Sequence, residues 1–260
     1  MSKEFEMAKV VSQKELQPGI FSMWLSCHAA KSAVPGQFLN VYTKNKEKRL
    51  PRPISICEIN GEKGELRLVY RVTKEGSGTE EFSKYETGEE VRILGPLGNG
   101  FPVEDFKDKK VILMGGGIGI PPMLGIADCV GKNATAVLGY RDKNTFLTED
   151  FEQAGTTLCL ASDDGSIGVH GNVIDAIKEN KVEGDVIFAC GPTPMLRGIK
   201  AYAKENGITC YISLEERMAC GIGACLGCVC QSKDKDHHSK VHNKRVCKDG
   251  PVFLAEEVEL

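Results

Sequence analysis

The stretch VILMGGGIGIPPML, residues 111–124, begins as an apolar run, meets four glycines within five positions, and resumes behind two prolines. Four apolar residues bounded by glycine read as a short buried strand. Pro121 and Pro122 suit the first turn of a helix, where a missing N–H costs little, and a helical pattern runs on from Met123 to Val130. Strand, glycine loop and helix in that order make the unit of a parallel α/β sheet. Such a loop offers free N–H groups to a phosphate at the carboxyl end of the strand. The loop is not the G-x-G-x-x-G fingerprint, because the third glycine, counted from Gly115 or Gly117, falls on Ile120 or Pro122. A plain tight strand-to-helix turn is the other reading of the same residues.

The alternation continues downstream. Strand-like ATAVLGY (134–140), a short helix at 148–153, strand-like TTLCLAS (156–162) and helical NVIDAIKEN (172–180) lead to DVIFACG (185–191), PTPMLRGIKAYAKENG (192–207) and TCYISL (209–214). This order predicts a parallel sheet with helices on both faces. CGPTPML (190–196) repeats the strand-loop-helix arrangement. Gly115, Gly116, Gly117 and Gly119 on one loop, and Cys190, Gly191 and Pro192 on the other, are therefore expected to face one crevice at the strand ends. That crevice suits a nicotinamide dinucleotide. Cys190 either lies against the nicotinamide ring or is a buried structural thiol. TTLCLAS ends in Ser162-Asp163-Asp164. An acidic side chain such as Asp163 accepts the 2′-hydroxyl of an adenosine ribose and repels a 2′-phosphate, which favours NAD over NADP.

Upstream, the first hundred residues read as six short β-rich segments. They are FEMAKVVS, IFSMWLSC, QFLNVYT, RPISICEI, GELRLVYRV and EEVRILG, punctuated by Pro18-Gly19, Pro35-Gly36, Gly61, Gly64 and Gly95-Pro96. Even spacing of this kind predicts a small antiparallel barrel. Within it, Arg52 and Ser55 of RPIS (52–55) sit on a strand. A guanidinium there can grip a pyrophosphate bidentately, and a serine hydroxyl can reach a flavin ring nitrogen; the alternative is a strand edge with a chance arginine. EGSGTEEF (75–82) reads as a glycine-rich turn opening a helix at Thr79, with N–H groups free for phosphate.

Near the end of the chain, ERMACGIGACLGCVCQ (216–231) places Cys220, Cys225 and Cys228 in the pattern C-x4-C-x2-C, and Cys247 follows after 18 intervening residues. This is the spacing of a plant-type [2Fe–2S] site, three thiolates from one tight loop and a fourth from downstream. Small residues (Ala219, Gly221, Gly223, Ala224, Gly227) let such a loop wrap closely and leave backbone N–H groups free to face sulfur. A zinc site on Cys225, Cys228 and two of His237, His238 and His242 is the competing reading. A finger needs two histidines three to five apart, starting about 12–15 residues past the second cysteine; only His242 falls there, and no histidine follows it. Cys230 is left over and reads as a non-ligand. The scattered Cys27, Cys57, Cys129, Cys159 and Cys210 read as small buried apolar residues.

Composition bounds the rest. A net charge of −3 gives no basic surface for nucleic acid, and 41% apolar residues suffice for a core. The opening MSKEFEMAKV lacks the apolar run of a signal peptide. No stretch approaches the roughly 20 apolar residues of a membrane span. The expectation is a cytoplasmic protein in which eleven cysteines stay reduced and the clustered ones serve metal or redox chemistry.

PGQF (35–38), RPIS, GPLGNGFP (95–102), GGGIGIPP (115–122), CGPTPML, EERMACGIGAC (215–225) and DGPVF (249–253) together resemble the ferredoxin–NADP reductase superfamily. Within it, the chain is similar to the electron-transfer subunits of class 1B dihydroorotate dehydrogenase. The resemblance implies a multidomain chain: an antiparallel β-barrel for FAD over 1–101, an α/β parallel-sheet domain for NAD over 102–212, and a small [2Fe–2S] loop domain over 213–260. It implies FAD held by Arg52, Pro53, Ile54 and Ser55, by Val69, Tyr70 and Arg71, and by Gly78 and Thr79, with the cluster on Cys220, Cys225, Cys228 and Cys247. The stretch from Tyr70 to Thr79 departs from the family by being longer than its usual turn. Nicotinamide exchanges two electrons and a cluster passes one, so a flavin belongs between them. Nothing in the chain suits dihydroorotate itself: there is no barrel for FMN and no base for a substrate carbon. The resemblance therefore implies an FMN-containing catalytic partner, in a heterotetramer of two copies of each chain, serving pyrimidine biosynthesis. A subunit of a related NAD(P)H–ferredoxin or sulfide oxidoreductase is the nearest alternative; a zinc-binding regulatory or redox-sensing module is the alternative of another class.

Overall fold

The structure is a computed structural model and describes residues 4–235 and 240–260. Six strands come first: β1 (Glu4–Gln17), β2 (Ile20–Ser26), β3 (Phe38–Val41), β4 (Arg52–Asn60), β5 (Glu65–Arg71) and, after a short helix α1 (Gly78–Phe82), β6 (Glu90–Leu97). They close into an antiparallel barrel in the order β1-β2-β5-β4-β3-β6. Alternation does the sorting. Leu39 and Val41 of β3, Ile56 of β4 and Leu66 and Leu68 of β5 fill the barrel interior, while Phe38 and Tyr42 turn outward to a different core.

The second unit runs β7 (Val111–Gly116), α2 (Pro121–Val130), β8 (Ala134–Tyr140), α3 (Thr148–Gln153), β9 (Thr157–Ser162), β10 (Val169–His170), α4 (Val173–Glu179), β11 (Val186–Cys190), α5 (Thr193–Asn206) and β12 (Thr209–Ser213). All its strands are parallel, as the alternation predicts. Helix α2 starts at Pro121, with both prolines in its first turn. No helix among the described residues is long and apolar enough to cross a membrane.

The tail is more ordered than its sequence suggests. Strands β13 (Val229–Gln231) and β14 (Asn243–Arg245) form a hairpin. Then β15 (Val252–Leu254) joins β12 antiparallel, completing a seven-stranded sheet in the order β10-β9-β8-β7-β11-β12-β15. Each tail strand is three residues long, too short to carry a period.

The units share their cores. One cluster of buried side chains joins Phe38, Leu94 and Leu97 of the barrel to Ile112 and Ile187 of the sheet and to Cys228, Val246 and Cys247 of the tail. Another joins Val69 and Phe101 of the barrel region to Leu113 and Met123. Arg67 on β5 ties barrel to sheet domain with charge: its Nε donates to Ser22 Oγ (2.8 Å), and its Nη1 binds both Glu58 on β4 and Asp150 on α3. The Arg67 side chain is 10% exposed. Removing one partner of a buried charge group strands the others. Arg67→Met is therefore expected to cost about 2–4 kcal/mol in denaturant unfolding, below the full buried-pair value because Asp150 is partly solvated; an unchanged midpoint would show that the cluster does not hold the domains.

Candidate functional site

The barrel has a seam. Residues 52–55 of β4 pair only with β3, and the ladder between β4 and β5 ends at Ile56 opposite Leu68. Beyond that point Val69, Tyr70 and Arg71 pair only with β2. The two strands splay, leaving main-chain edges facing each other without a strand between them. Val69 and Tyr70 bury their side chains, and the Tyr70 hydroxyl accepts a hydrogen bond from Gln13 Nε2 (2.8 Å), so these two can meet a ligand only through the main chain. Arg71 is exposed.

Helix α1 closes one end of the seam. Ser77 caps it, accepting from the Glu80 N–H (3.1 Å), and Thr79 Oγ1 accepts from the Thr73 N–H (3.3 Å). The Arg52 side chain lies directly over Gly78: a Cβ there would stand 2.7 Å from Arg52 Nε. Arg52 thus forms one cationic corner with Gly78 and Thr79, although these lie 26 and 27 positions further along the chain. The long stretch before Thr79 folds as a turn that delivers Gly78 to the arginine.

The two glycine loops of the sheet also meet. Cys190 lies opposite Gly115 in the parallel register, and a Cβ on Gly119 would stand 2.3 Å from the Cys190 carbonyl oxygen and 2.6 Å from the Gly191 nitrogen. Arg71 reaches across from the barrel: its Nη2 is 3.7 Å from the Cβ position of Gly117. Asp163 is exposed beyond the end of β9 and lines one cavity with Asn172, Asp175, Pro192 and Met195. Burial, followed by the charge of Glu215, pushes the Cys190 thiol upward despite a bond to Ser213, so it is a neutral, apolar surface at this crevice.

The cysteine loop is held from within. Cys220 Sγ accepts from the N–H groups of Ile222 (3.4 Å), Ala224 (3.3 Å) and Cys225 (3.4 Å), and Cys225 Sγ from that of Gly227 (3.4 Å). Burial opposes ionisation of Cys220, but these donors and the neighbouring Cys225 thiol outweigh it and hold the thiol below its usual range. Cys228 and Cys247 are 2% and 1% exposed, and the Cys247 N–H donates to Cys228 Sγ (3.4 Å). Burial and then Cys228 beside it push the Cys247 thiol upward. The thiols thus stand as two pairs, 220 with 225 and 228 with 247. Among the described residues no three cysteine, histidine or acidic side chains close into a single-ion site. Two pairs fit a two-iron centre, since each iron of such a centre takes two thiolates besides its sulfides.

Of the remaining sequence readings, Cys230 is half-buried on β13, where burial raises its thiol. Cys27, Cys57, Cys159 and Cys210 are buried, whereas Cys129 is exposed, a correction with a simple cause: it lies with Asp128 on the outer face of the last turn of α2. His237 and His238 lie outside the described residues; His242 is exposed and bonds the Lys233 carbonyl (2.7 Å). Sequence reading missed Asn40, a fully buried polar residue beside the cysteine loop, because one asparagine in a short apolar strand carries no spacing signal.

Comparison with known proteins agrees with this geometry. Residues 8–101 match the family model for an oxidoreductase FAD-binding domain. Residues 215–259 match that for the iron–sulfur cluster binding domain of dihydroorotate dehydrogenase B. The dihydroorotate dehydrogenase B (NAD(+)) electron transfer subunit of a Geobacillus strain is 41% identical over the full length of both chains. The chain belongs to that family. The subunit of the same name from Enterococcus faecalis is 40% identical, again with both chains fully covered. Among solved structures, an NADH-dependent reduced ferredoxin-NADP oxidoreductase superposes with a TM-score of 0.85 at 30% identity, covering 98% of this chain and 90% of that one. A ferredoxin NADP+ reductase from Neisseria gonorrhoeae, 15% identical with a TM-score of 0.66 over 83% of this chain and 95% of its own, shares the fold.

The contact between the glycine loops is checked by one methyl group. Gly119→Ala would drive a Cβ into the main chain of Cys190 and Gly191, and overpacking of this kind costs about 1–3 kcal/mol. A fall of that size in unfolding free energy is expected, with NADH affinity falling too; a variant as stable as the parent would mean that the loops do not touch.

Proposed function

We propose that this chain relays electrons from dihydroorotate, oxidised on an FMN-containing catalytic partner, through a [2Fe–2S] centre and FAD to NAD+. The observation that carries the proposal is the packing of Cys228 and Cys247, and of Gly221 beside Cys220, against the outer face of the same barrel whose seam holds the cationic corner. The relatives' name, electron transfer subunit of a dihydroorotate dehydrogenase that uses NAD(+), supports the choice of reaction.

The bound groups would supply the redox chemistry, two electrons at a time at the nicotinamide and one at a time at the cluster. The chain's own residues bind, orient and shield. Arg52 would pair with the FAD pyrophosphate over Gly78 and Thr79, where a guanidinium and free N–H groups converge. Pro53, Ile54 and Ser55 on one side of the seam, and the main chain of Val69, Tyr70 and Arg71 on the other, would flank the flavin. Gly115, Gly116, Gly117 and Gly119 with Gly191 and Pro192 would receive NAD, Asp163 would hold its adenosine ribose, and the neutral Cys190 would lie against the nicotinamide. Cys220 and Cys225 would ligate one iron, Cys228 and Cys247 the other. Backbone donors already aimed at Cys220 favour the thiolate form that iron requires. Four reduced thiols of this kind fit the cytoplasm, and a heterotetramer of two copies of each chain fits the family.

Reconstitution tests this reading. Mixed with an FMN-type dihydroorotate dehydrogenase from the same source, the chain should convert dihydroorotate oxidation into NAD+ reduction; a catalytic subunit that binds the chain yet still cannot reduce NAD+ would refute it. Cys225→Ser should abolish that coupled turnover while NADH still reduces a dye through the flavin, and retained coupling would remove Cys225 from the ligands. Arg52→Ala should weaken FAD binding roughly 10- to 150-fold, the worth of one charge-assisted pair at about 1.5–3 kcal/mol; full flavin occupancy at nanomolar protein would place the pyrophosphate elsewhere.

A further inference from the structure

Asn40 is completely buried, and neither its Oδ1 nor its Nδ2 has a hydrogen-bond partner. Among the described residues it is the one side chain with both polar atoms in that condition. Buried amides are nearly always bonded, because stripping water from one without replacement is costly. An orphan of this kind is a place where a missing partner belongs.

Its surroundings say which partner. Leu39 and Val41 point into the barrel, so Asn40 points outward with Phe38 and Tyr42, into the core that contains Cys228 and Cys247. In register it faces Pro53 of the seam on one side and Leu94 of β6 on the other. Its Nδ2 is 2.3 Å from the position a Cβ on Gly221 would take. Gly221 follows Cys220 directly and has φ +71°, so the loop turns its bare α-carbon to the amide. The amide therefore fills the ground between the flavin-side strand and the cysteine loop. The backbone N–H groups on Cys220 Sγ all come from the loop itself; Asn40 is a donor arriving from the barrel.

We propose that the Asn40 side-chain N–H2 donates a hydrogen bond to a sulfur of the [2Fe–2S] centre and thereby raises its reduction potential. The inference rests on the cluster reading given above. A donor at sulfur stabilises the reduced, more negative centre more than the oxidised one. Removing it tips the one-electron equilibrium toward the oxidised form.

The test is a redox titration of the anaerobically isolated full chain, with the cluster followed by EPR and the flavin by absorbance. In Asn40→Leu the cluster equilibrium should move about three- to tenfold toward the oxidised form, a fall of up to about 59 mV for one electron, with the flavin potential unchanged. Asn40→Asp, which keeps the shape but exchanges donors for charge, should move it further the same way. A second readout needs no variant: in chain labelled with 15N-asparagine, pulsed EPR of the reduced cluster should show an asparagine nitrogen coupled to it. A cluster potential unmoved in both variants, a shift of the flavin potential alone, or no asparagine coupling would overturn the role of Asn40. Iron and sulfide analysis of the parent separates the two levels: parent chain without a cluster overturns the cluster reading, whereas a loaded chain that ignores Asn40 overturns this inference only.

Discussion

The close approach of Gly98 to Gly250 and Pro251 fastens the tail to the barrel and the sheet. A Cβ on Gly98 would stand 2.4 Å from Pro251 Cδ and 2.7 Å from the Gly250 carbonyl oxygen. The Asn99 N–H donates to that carbonyl (2.7 Å), Asn99 Nδ2 to the Asp249 carbonyl (2.9 Å), and the Leu214 N–H to the Pro251 carbonyl (2.9 Å). Barrel, sheet and tail meet at this point. Because the tail is fastened there, β15 can join β12 and the segment carrying Cys247 is held against Cys228.

The consequence is functional. Electron transfer between separate groups weakens steeply with distance, so a relay needs its parts fixed rather than tethered. A cysteine loop hung on a flexible tail would visit the barrel; this one shares a buried core with it. Arg67 gives the matching constraint at another junction, binding the barrel to α3. The seam in the barrel and the crevice of the sheet thereby face each other, with Arg71 reaching between them.

Much of this was legible in the sequence, and for identifiable reasons. VILMGGGIGIPPML announced strand, loop and helix because glycine and proline act locally, and the six barrel strands announced themselves by β-rich runs between turns. The cysteine spacing carried its chemistry because three ligands lie on one loop. What could not be read depends on contacts distant in sequence. The tail looked like loop because three-residue strands have no period and are held by β12 and by Gly98. The pairing of Cys228 with Cys247 shows only once the tail is fastened. Cys129 resembled the buried cysteines, and only the orientation of α2 turns it outward. Asn40 was invisible as one polar residue in a short apolar strand. PGQF, GPLGNGFP and DGPVF meet in the structure: Gln37 Nε2 donates to the Gly98 carbonyl and the Phe101 N–H to that of Pro35, while GPLGNGFP and DGPVF are the two sides of the Gly98 contact.

In the proposed reading, four thiols in two pairs make this flavin-type barrel a relay. Metal, sulfide and flavin analysis of anaerobically isolated chain decides whether it is one. A relay of this kind holds about two irons, about two acid-labile sulfides and about one FAD per chain. Colourless protein carrying zinc on the same cysteines, with no labile sulfide, would contradict it.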